Sequence, residues 1–113
     1  MVKELEHINW FDTPNWASNI ILGNDDMRYR FKAHWNNRNN SWMISISYDE
    51  EVIIQGAQLL LNVDLLQHSH HSLKPNCMLI ANTENDNIER INFENMVNGN
   101  VKLYHILKED LDA

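Results

Sequence analysis

MRYRFKAHWNNRNNSWMISISY, residues 27–48, contains the clearest structural pattern in the chain. Apolar and polar residues alternate on both sides of an Asn-rich loop at residues 37–40. A period of two places apolar side chains on one face of a strand and polar side chains on the other. The stretch therefore predicts a β-hairpin, with a loop wider than the tight two-residue kind. The side chains expected to face inward are Trp35, Trp42, Ile44 and Ile46, and those expected to face outward are Arg30, Lys32, Ser45 and Ser47.

Short apolar runs separated by turn signals continue on both sides of this hairpin, and each predicts one more strand or turn. Strands are predicted at 17–22, from 52 to 54 with a bulge at Gly56, within 57–66 before a turn, and at 77–81, 88–91 and 101–107. Turns or loops are predicted at 23–25, 49–51, 67–76 and 82–87, and a helical turn at 92–97 before Asn98-Gly99. This spacing is typical of an all-β fold, a small antiparallel sandwich or barrel with at most one short helical turn.

The length of 113 residues fits one β domain, residues 1–113. We expect the ordered core at about residues 16–107, followed by an acidic C-terminal tail at 108–113. No stretch approaches the roughly 20 apolar residues of a membrane span. The N-terminus also lacks the apolar segment of a signal peptide, which predicts synthesis and folding in a reducing cytoplasm.

The charge balance is acidic, with 9 Lys and Arg against 16 Asp and Glu and a net charge of −7. Nucleic-acid binding draws on clustered basic residues, and anionic membranes attract the same residues. The composition therefore predicts neither a nucleic-acid partner nor a membrane partner. Basic residues gather only at Arg28, Arg30 and Lys32, where they would meet either an acidic partner or solvent.

The segment His68-Ser69-His70-His71 is the one cluster that suggests a metal. His68 and His70 share a face of an extended chain, but a zinc site needs at least three protein ligands. The residues that could complete such a site are His34, His105, Asp64 and Cys77. The alternative is a solvated loop, and we assign no metal ligand and no cofactor.

Catalytic motifs are missing from the sequence. It contains no Gly-x-Ser-x-Gly elbow, and its three Gly residues form no phosphate loop or dinucleotide fingerprint. The carboxylate pairs Asp25-Asp26 and Asp49-Glu50 fall in expected turns. Cys77, the only cysteine, opens an apolar run, which predicts a buried and unreactive thiol. We therefore assign no catalytic residue.

The aromatic residues of the hairpin allow two interpretations. Their rings could stack nucleic-acid bases, as in oligonucleotide-binding barrels, or they could form the core of the domain. The core is the preferred interpretation, because the opposite face of the hairpin already supplies the polar side. The rings concerned are those of Tyr29, Phe31, Trp35, Trp42 and Tyr48.

The hairpin and the segments after it resemble the baseplate plug family of contractile phage tails. The resemblance rests on the string Trp35-Asn36-Asn37-Arg38 followed by Trp42, with Tyr29 and Phe31 before it. It continues through GAQLLLNVDLL at 56–66, the Pro75 loop leading into Met78-Leu79-Ile80, and Gly99, Val101, Leu103 and Tyr104 near the end. It covers roughly residues 16–106. The sequence departs from the family at Asn76 and Cys77, where Gly is usual, and in its His-rich loop.

The resemblance implies a non-enzymatic structural component of a contractile tail baseplate, in phages, defective prophages or phage-like bacteriocins. Its implied partners are hub, tube or spike proteins, with several copies per assembly. Its implied location is the virion tail baseplate, after assembly in the host cytoplasm. The alternative is a small β-barrel that binds single-stranded nucleic acid or peptide. A third interpretation is a metal-dependent enzyme that uses the His loop.

Overall fold

The fold consists of two antiparallel sheets and one short helix, in a computed structural model that describes residues 6–23, 27–67 and 69–107. The elements are β1 (Glu6–His7), β2 (Asn15–Ile21), β3 (Arg28–Asn36), β4 (Ser41–Tyr48), β5 (Glu51–Gln58), β6 (Cys77–Asn82), α1 (Phe93–Val97) and β7 (Lys102–Leu107). One sheet has the strand order β1-β7-β6 and the other β2-β3-β4-β5. Within these described ranges, no helix is long and apolar enough to span a membrane.

The predicted hairpin is confirmed as β3 and β4, with Trp35 opposite Trp42 and Phe31 opposite Ile46. Trp42, Ile44 and Ile46 are fully buried, as the alternation predicts. Trp35 is half-buried and packs against the edge of the core, because it lies near the end of β3. On the other face, Arg30 and Lys32 are exposed, while Ser45 and Ser47 are half-exposed.

The connection from β4 to β5 is a two-residue turn at Asp49 and Glu50, with φ angles of 48° and 69°. Two consecutive positive φ angles match the twist of a tight hairpin, so Glu51 belongs to β5 and not to the turn. The predicted bulge at Gly56 is also confirmed. Its φ is 62°, the β4–β5 register shifts beside it, and its amide donates a 3.0 Å hydrogen bond to Ser45 Oγ.

The prediction of a strand and then a turn within 57–66 is only partly right. β5 ends at Gln58, and the segment 59–66 forms isolated bridges, Leu61 to Ala81 and Asp64 to Ile80. Two residues explain this. Asn62 has a φ of 63°, and the Asp64 carboxylate accepts 3.0 Å hydrogen bonds from the amide of Leu66 and from the amide of Leu79 in β6. The segment therefore follows the free edge of β6 without becoming a regular strand.

The strand predicted at 88–91 is wrong. Ile91 is buried, but the four residues join neither sheet, and the carbonyl of Arg90 accepts from Asn95 Nδ2 at 3.0 Å. The helical turn predicted next is confirmed as α1. Asn92 caps it, and Asn92 and Asn95 exchange side-chain to backbone hydrogen bonds at the first turn.

Both sheets bury side chains in one hydrophobic cluster. Trp10 is central to it, since its ring meets Trp16 and Trp42 edge to face, each at a 5.1 Å centroid distance. Trp42 also stacks on Phe93 at 5.2 Å. The buried indole N–H groups of Trp10, Trp16 and Trp42 reach no hydrogen-bond acceptor within the described residues. Ring contacts, more than polar bonds, therefore hold this part of the core.

Of the two architectures expected from the sequence, the sandwich-like arrangement is right, because the sheets remain separate and the described strands close no barrel. Four expectations fall outside the described residues: the later part of the turn at 23–25, the pair Asp25-Asp26, His68, and the tail at 108–113.

Candidate functional site

The structure does not bring the candidate metal ligands together. His70 is exposed, and His34 lies on the solvent-facing side of β3. The carboxylate of Asp64 is occupied by the two backbone amides that it accepts. In the part of the chain that the structure describes, no three His, Cys, Asp or Glu side chains are grouped closely enough to hold a metal ion.

Two of the histidines have structural roles. His71 Nδ1 accepts a 3.0 Å hydrogen bond from the amide of Leu73, which shapes the loop before Pro75. His105 is buried in β7, and its Nε2 accepts a 3.1 Å hydrogen bond from the amide of Gly23. This bond ties the end of β2 to the other sheet.

The only thiol is buried, as the sequence predicts. Cys77 is 3% exposed at the start of β6. Burial away from water, with the nearby Asp64 carboxylate, raises the pKa of Cys77 from 9.0 to about 12. The thiol therefore stays protonated at neutral pH and is a poor nucleophile.

The aromatic stripe of the hairpin faces the core. Tyr29, Phe31 and Trp42 are each at most 1% exposed, while Trp35 and Tyr48 are half-buried. The Tyr29 hydroxyl also donates a 2.6 Å hydrogen bond to the carbonyl of Leu73. The three buried rings have no free face on which a nucleic-acid base could stack.

The outer side of the three-stranded sheet carries an apolar face, formed by Met78, Ile80, Tyr104 and Ile106. Met78 lies opposite Ile106, and Ile80 lies opposite Tyr104. All four are half-exposed and lie outside the core cluster, because their neighbours along β6 and β7 are the residues that point inward. A shallow groove of about 410 Å³ crosses this apolar face, with His7, Thr83 and Lys102 on its rim.

Sequence reasoning missed this apolar face, since it predicted 77–81 as a strand without asking which of its two faces is covered. The signal was present. Both alternating sets of side chains in CMLIA are apolar, although only Cys77, Leu79 and Ala81 reach the core. A strand that is apolar on both faces must be covered on both faces or must expose one of them.

The outer side of the four-stranded sheet is different in character. Arg28, Arg30 and Lys32 form a basic row along β3, and all three are exposed. Their cross-strand neighbours are uncharged, with Asn19 and Ala17 on one side and Ser47 and Ser45 on the other. Within the described ranges, no acidic side chain forms an ion pair with the basic row.

Exposed apolar and basic surfaces on the outer sides of a β core are typical of a protein that contacts other proteins. The comparison with known families agrees. Residues 7–108 match the family described as cyanophage baseplate Pam3 plug gp18, and the chain belongs to this family. It is therefore a structural component of a phage tail baseplate and not an enzyme. The resemblance found in the sequence is confirmed, while a search of curated proteins gives no match.

Proposed function

We propose that the apolar face of the three-stranded sheet fixes this chain to a hub, tube or spike protein of a contractile tail. The observation that carries the proposal is the exposure of Met78, Ile80, Tyr104 and Ile106 on one side of a regular sheet. The outer face of an antiparallel sheet is ordinarily polar, because it is solvated. Covering an apolar outer face with a partner is favourable, because it lowers the free energy by about 25 cal/mol per Å² of apolar surface removed from water.

The composition of the apolar face also suits a protein interface. Tyr and Met are enriched at the centres of such interfaces, while charged residues belong at the rim. Tyr104 follows this pattern, because the exposed residues His7, Glu84 and Lys102 line the same groove. Met78 lies on the same face, opposite Ile106. His7 additionally meets the Tyr104 ring edge to face at a 6.5 Å centroid distance.

The proposal takes residues 1–113 as one domain that is present in several copies. Both sheets bury side chains in the same cluster, which supports a single folding unit. Symmetric assemblies repeat each contact, so a baseplate component is expected in a fixed copy number above one.

Nucleic acid and membrane are not among the proposed partners. The net charge of −7 removes the electrostatic attraction to phosphate, and Tyr29, Phe31 and Trp42 are buried in the core. The isolated protein should therefore pass through single-stranded DNA resin at physiological salt. Salt-dependent retention there would contradict this part of the proposal.

The experiment is co-purification of the tagged chain with hub, tube and spike proteins expressed from the same tail gene cluster. Ile80→Asp places a charge in the middle of the apolar face and should abolish co-purification. Val52→Asp is the matched control, because Val52 is 53% exposed on the other sheet. Thermal unfolding should show that both variants fold. Co-purification that Ile80→Asp leaves intact, or that wild-type protein never shows, would contradict the proposal.

A further inference from the structure

We propose that the open edge of β2 receives an extended strand from another baseplate protein, and that this strand carries acidic side chains at alternate positions. The inference rests on the proposed function, since it names a second mode of contact for the same assembly. It concerns the four-stranded sheet, so it can succeed or fail separately from the apolar face.

β2 is the one long and regular edge among the described strands. It runs as NWASNII with no charged residue, no Pro and no Gly, and its seven residue pairs with β3 show no register shift. Proteins usually block such edges with charges, Pro, bulges or a covering segment. An unblocked edge is a template for another strand.

The other sheet edges are blocked by these devices. β5 has two register shifts and opens on Glu51. The edge of β6 is covered by the 59–66 segment, where the Asn62 amide donates to the Ala81 carbonyl at 2.8 Å. β1 has only two residues. Among the described strands, β2 is therefore the edge best suited to receive another strand.

The backbone of β2 presents its free groups at regular spacing. The Trp35 amide donates to the Pro14 carbonyl, and the Leu22 amide donates to the Met27 carbonyl, at 2.8 Å and 3.2 Å. Since hydrogen-bonded positions alternate in an antiparallel pair, the even-numbered residues of β2 bond to β3. The odd-numbered residues therefore direct their N–H and C=O groups outward. Within the described residues, nothing bonds to the outward groups of Ala17, Asn19 or Ile21.

A groove lies beside this edge and would receive the inward side chains of an added strand. It measures about 200 Å³, and its apolar lining comes from Ile8, Phe11, Trp16, Ile20 and Ile21. The polar residues that also line it are Glu6, His7, Asn9, Ser18 and His105. Phe11 is 46% exposed there, so it has an apolar surface that is not covered. Every second residue of the incoming strand is therefore expected to be apolar.

The basic row indicates the charge expected on the outward-facing side chains of the incoming strand. An added strand would lie two strand spacings from β3, about 10 Å away. Between them stand the short side chains of Ala17 and Asn19, directly opposite Lys32 and Arg30, while the larger Ile21 stands opposite Arg28. Long Lys and Arg side chains can cross such a gap to meet a carboxylate. Outward-facing Glu or Asp residues on the incoming strand complement this charge.

A second copy of the chain is the less suitable occupant. β2 has no acidic residue, so pairing β2 with its symmetry mate would leave both basic rows without a counter-charge. The two rows would also repel each other across the joined sheet.

The test is a titration of the full isotope-labelled chain with an acetylated, amidated nine-residue peptide of alternating Glu and Val. NMR at physiological salt monitors the backbone amides of the chain. We expect the amides of Ala17, Asn19 and Ile21 to shift most. Asn19→Pro removes one outward N–H without removing a bond to β3, and should weaken binding about tenfold. Asn19→Ala is the matched control and should bind normally. If Asn19→Pro fails to fold, Ala17→Glu should repel the peptide instead.

The specificity controls separate the competing outcomes. A peptide of alternating Lys and Val should bind at least about tenfold more weakly, because the basic row repels it. Ile80→Asp should leave peptide binding unchanged, which distinguishes this inference from the proposed function. Absence of binding, binding that Asn19→Pro does not affect, or concentration-dependent self-association through β2 in light scattering would overturn the inference.

Discussion

Trp35 and Trp42 lie directly opposite each other across the β3–β4 hairpin, and their rings meet edge to face at a 5.6 Å centroid distance. The two rings differ in their surroundings. Both rings contact Phe93, but Trp42 is 0% exposed and also contacts Trp10, whereas Trp35 is half-buried at the edge of the core. The boundary between the buried and the partly exposed part of the hairpin therefore lies at this pair.

Replacing Trp42 with Ala should lower the free energy of unfolding by about 3–5 kcal/mol, because the large ring leaves a cavity among packed aromatic residues. Trp35→Ala should cost roughly half as much, since part of that ring is already in water. Equilibrium denaturation with urea, monitored by circular dichroism, measures both. A near-neutral Trp42→Ala would contradict the assigned register of the hairpin.

The Cys77 thiol should be unreactive in the folded protein. Its pKa of about 12 keeps it protonated at pH 8, and its burial blocks reagents. A disulfide reagent added at pH 8 should label Cys77 slowly in buffer and completely in denaturant. Rapid labelling of the native protein would show that β6 opens at its start.

The same thiol makes stability depend on pH. In the unfolded chain it ionises near its ordinary value of 9.0, whereas in the folded chain it stays protonated up to about 12. Between these two pKa values the folded state keeps a proton that the unfolded state has lost. The contribution of the protonated thiol to the free energy of unfolding is therefore present in full below about pH 9 and is lost as the pH rises towards 12. Cys77→Ala should show a shallower loss of stability between pH 8 and pH 10.5 than wild-type protein.

Replacing His68, His70 and His71 together with Gln should have little effect on folding and assembly. The expected loss is about 1 kcal/mol, assigned to the hydrogen bond that His71 Nδ1 accepts from the Leu73 amide. His70→Gln alone should be neutral, because His70 is exposed. Chemical denaturation and elemental analysis measure stability and metal content. A stoichiometric metal that the triple variant loses, together with assembly, would contradict this prediction.

The elements predicted well from sequence are those whose pattern reflects burial on one face. The hairpin at 27–48 alternates along both strands, and Gly56 marks the bulge in β5 because a φ of 62° favours a residue without a side chain. β1 could not be predicted, since it is a two-residue strand defined only by its pairing with His105 and Tyr104. The strand and turn predicted within 57–66 were only partly right, because tertiary contacts with β6, and not the periodicity of the segment, decide the conformation of residues 59–66.

The proposed interaction surfaces also divide into one that could be predicted from the sequence and one that could not. The basic row was predictable, because Arg28, Arg30 and Lys32 alternate with buried residues in one strand. The open edge of β2 was not, because the strand order in the sheet decides which strand lies at an edge. Sequence periodicity indicates the two faces of a strand and contains no information about its neighbours.

The last prediction concerns the assembled tail. A phage or bacteriocin strain that lacks this gene should make intact heads where it encodes them, but its contractile tails should be absent or uninfective, because the chain is a structural baseplate component. A plasmid with the wild-type gene should restore infective tails, and so should Val52→Asp. Ile80→Asp should not restore them, since it places a charge on the apolar face. Electron microscopy and infectivity titres of the particles measure these outcomes. Normal, infective tails in the deletion strain would contradict a structural requirement for the chain. Rescue by Ile80→Asp would show that the contact with other baseplate proteins lies outside the three-stranded sheet.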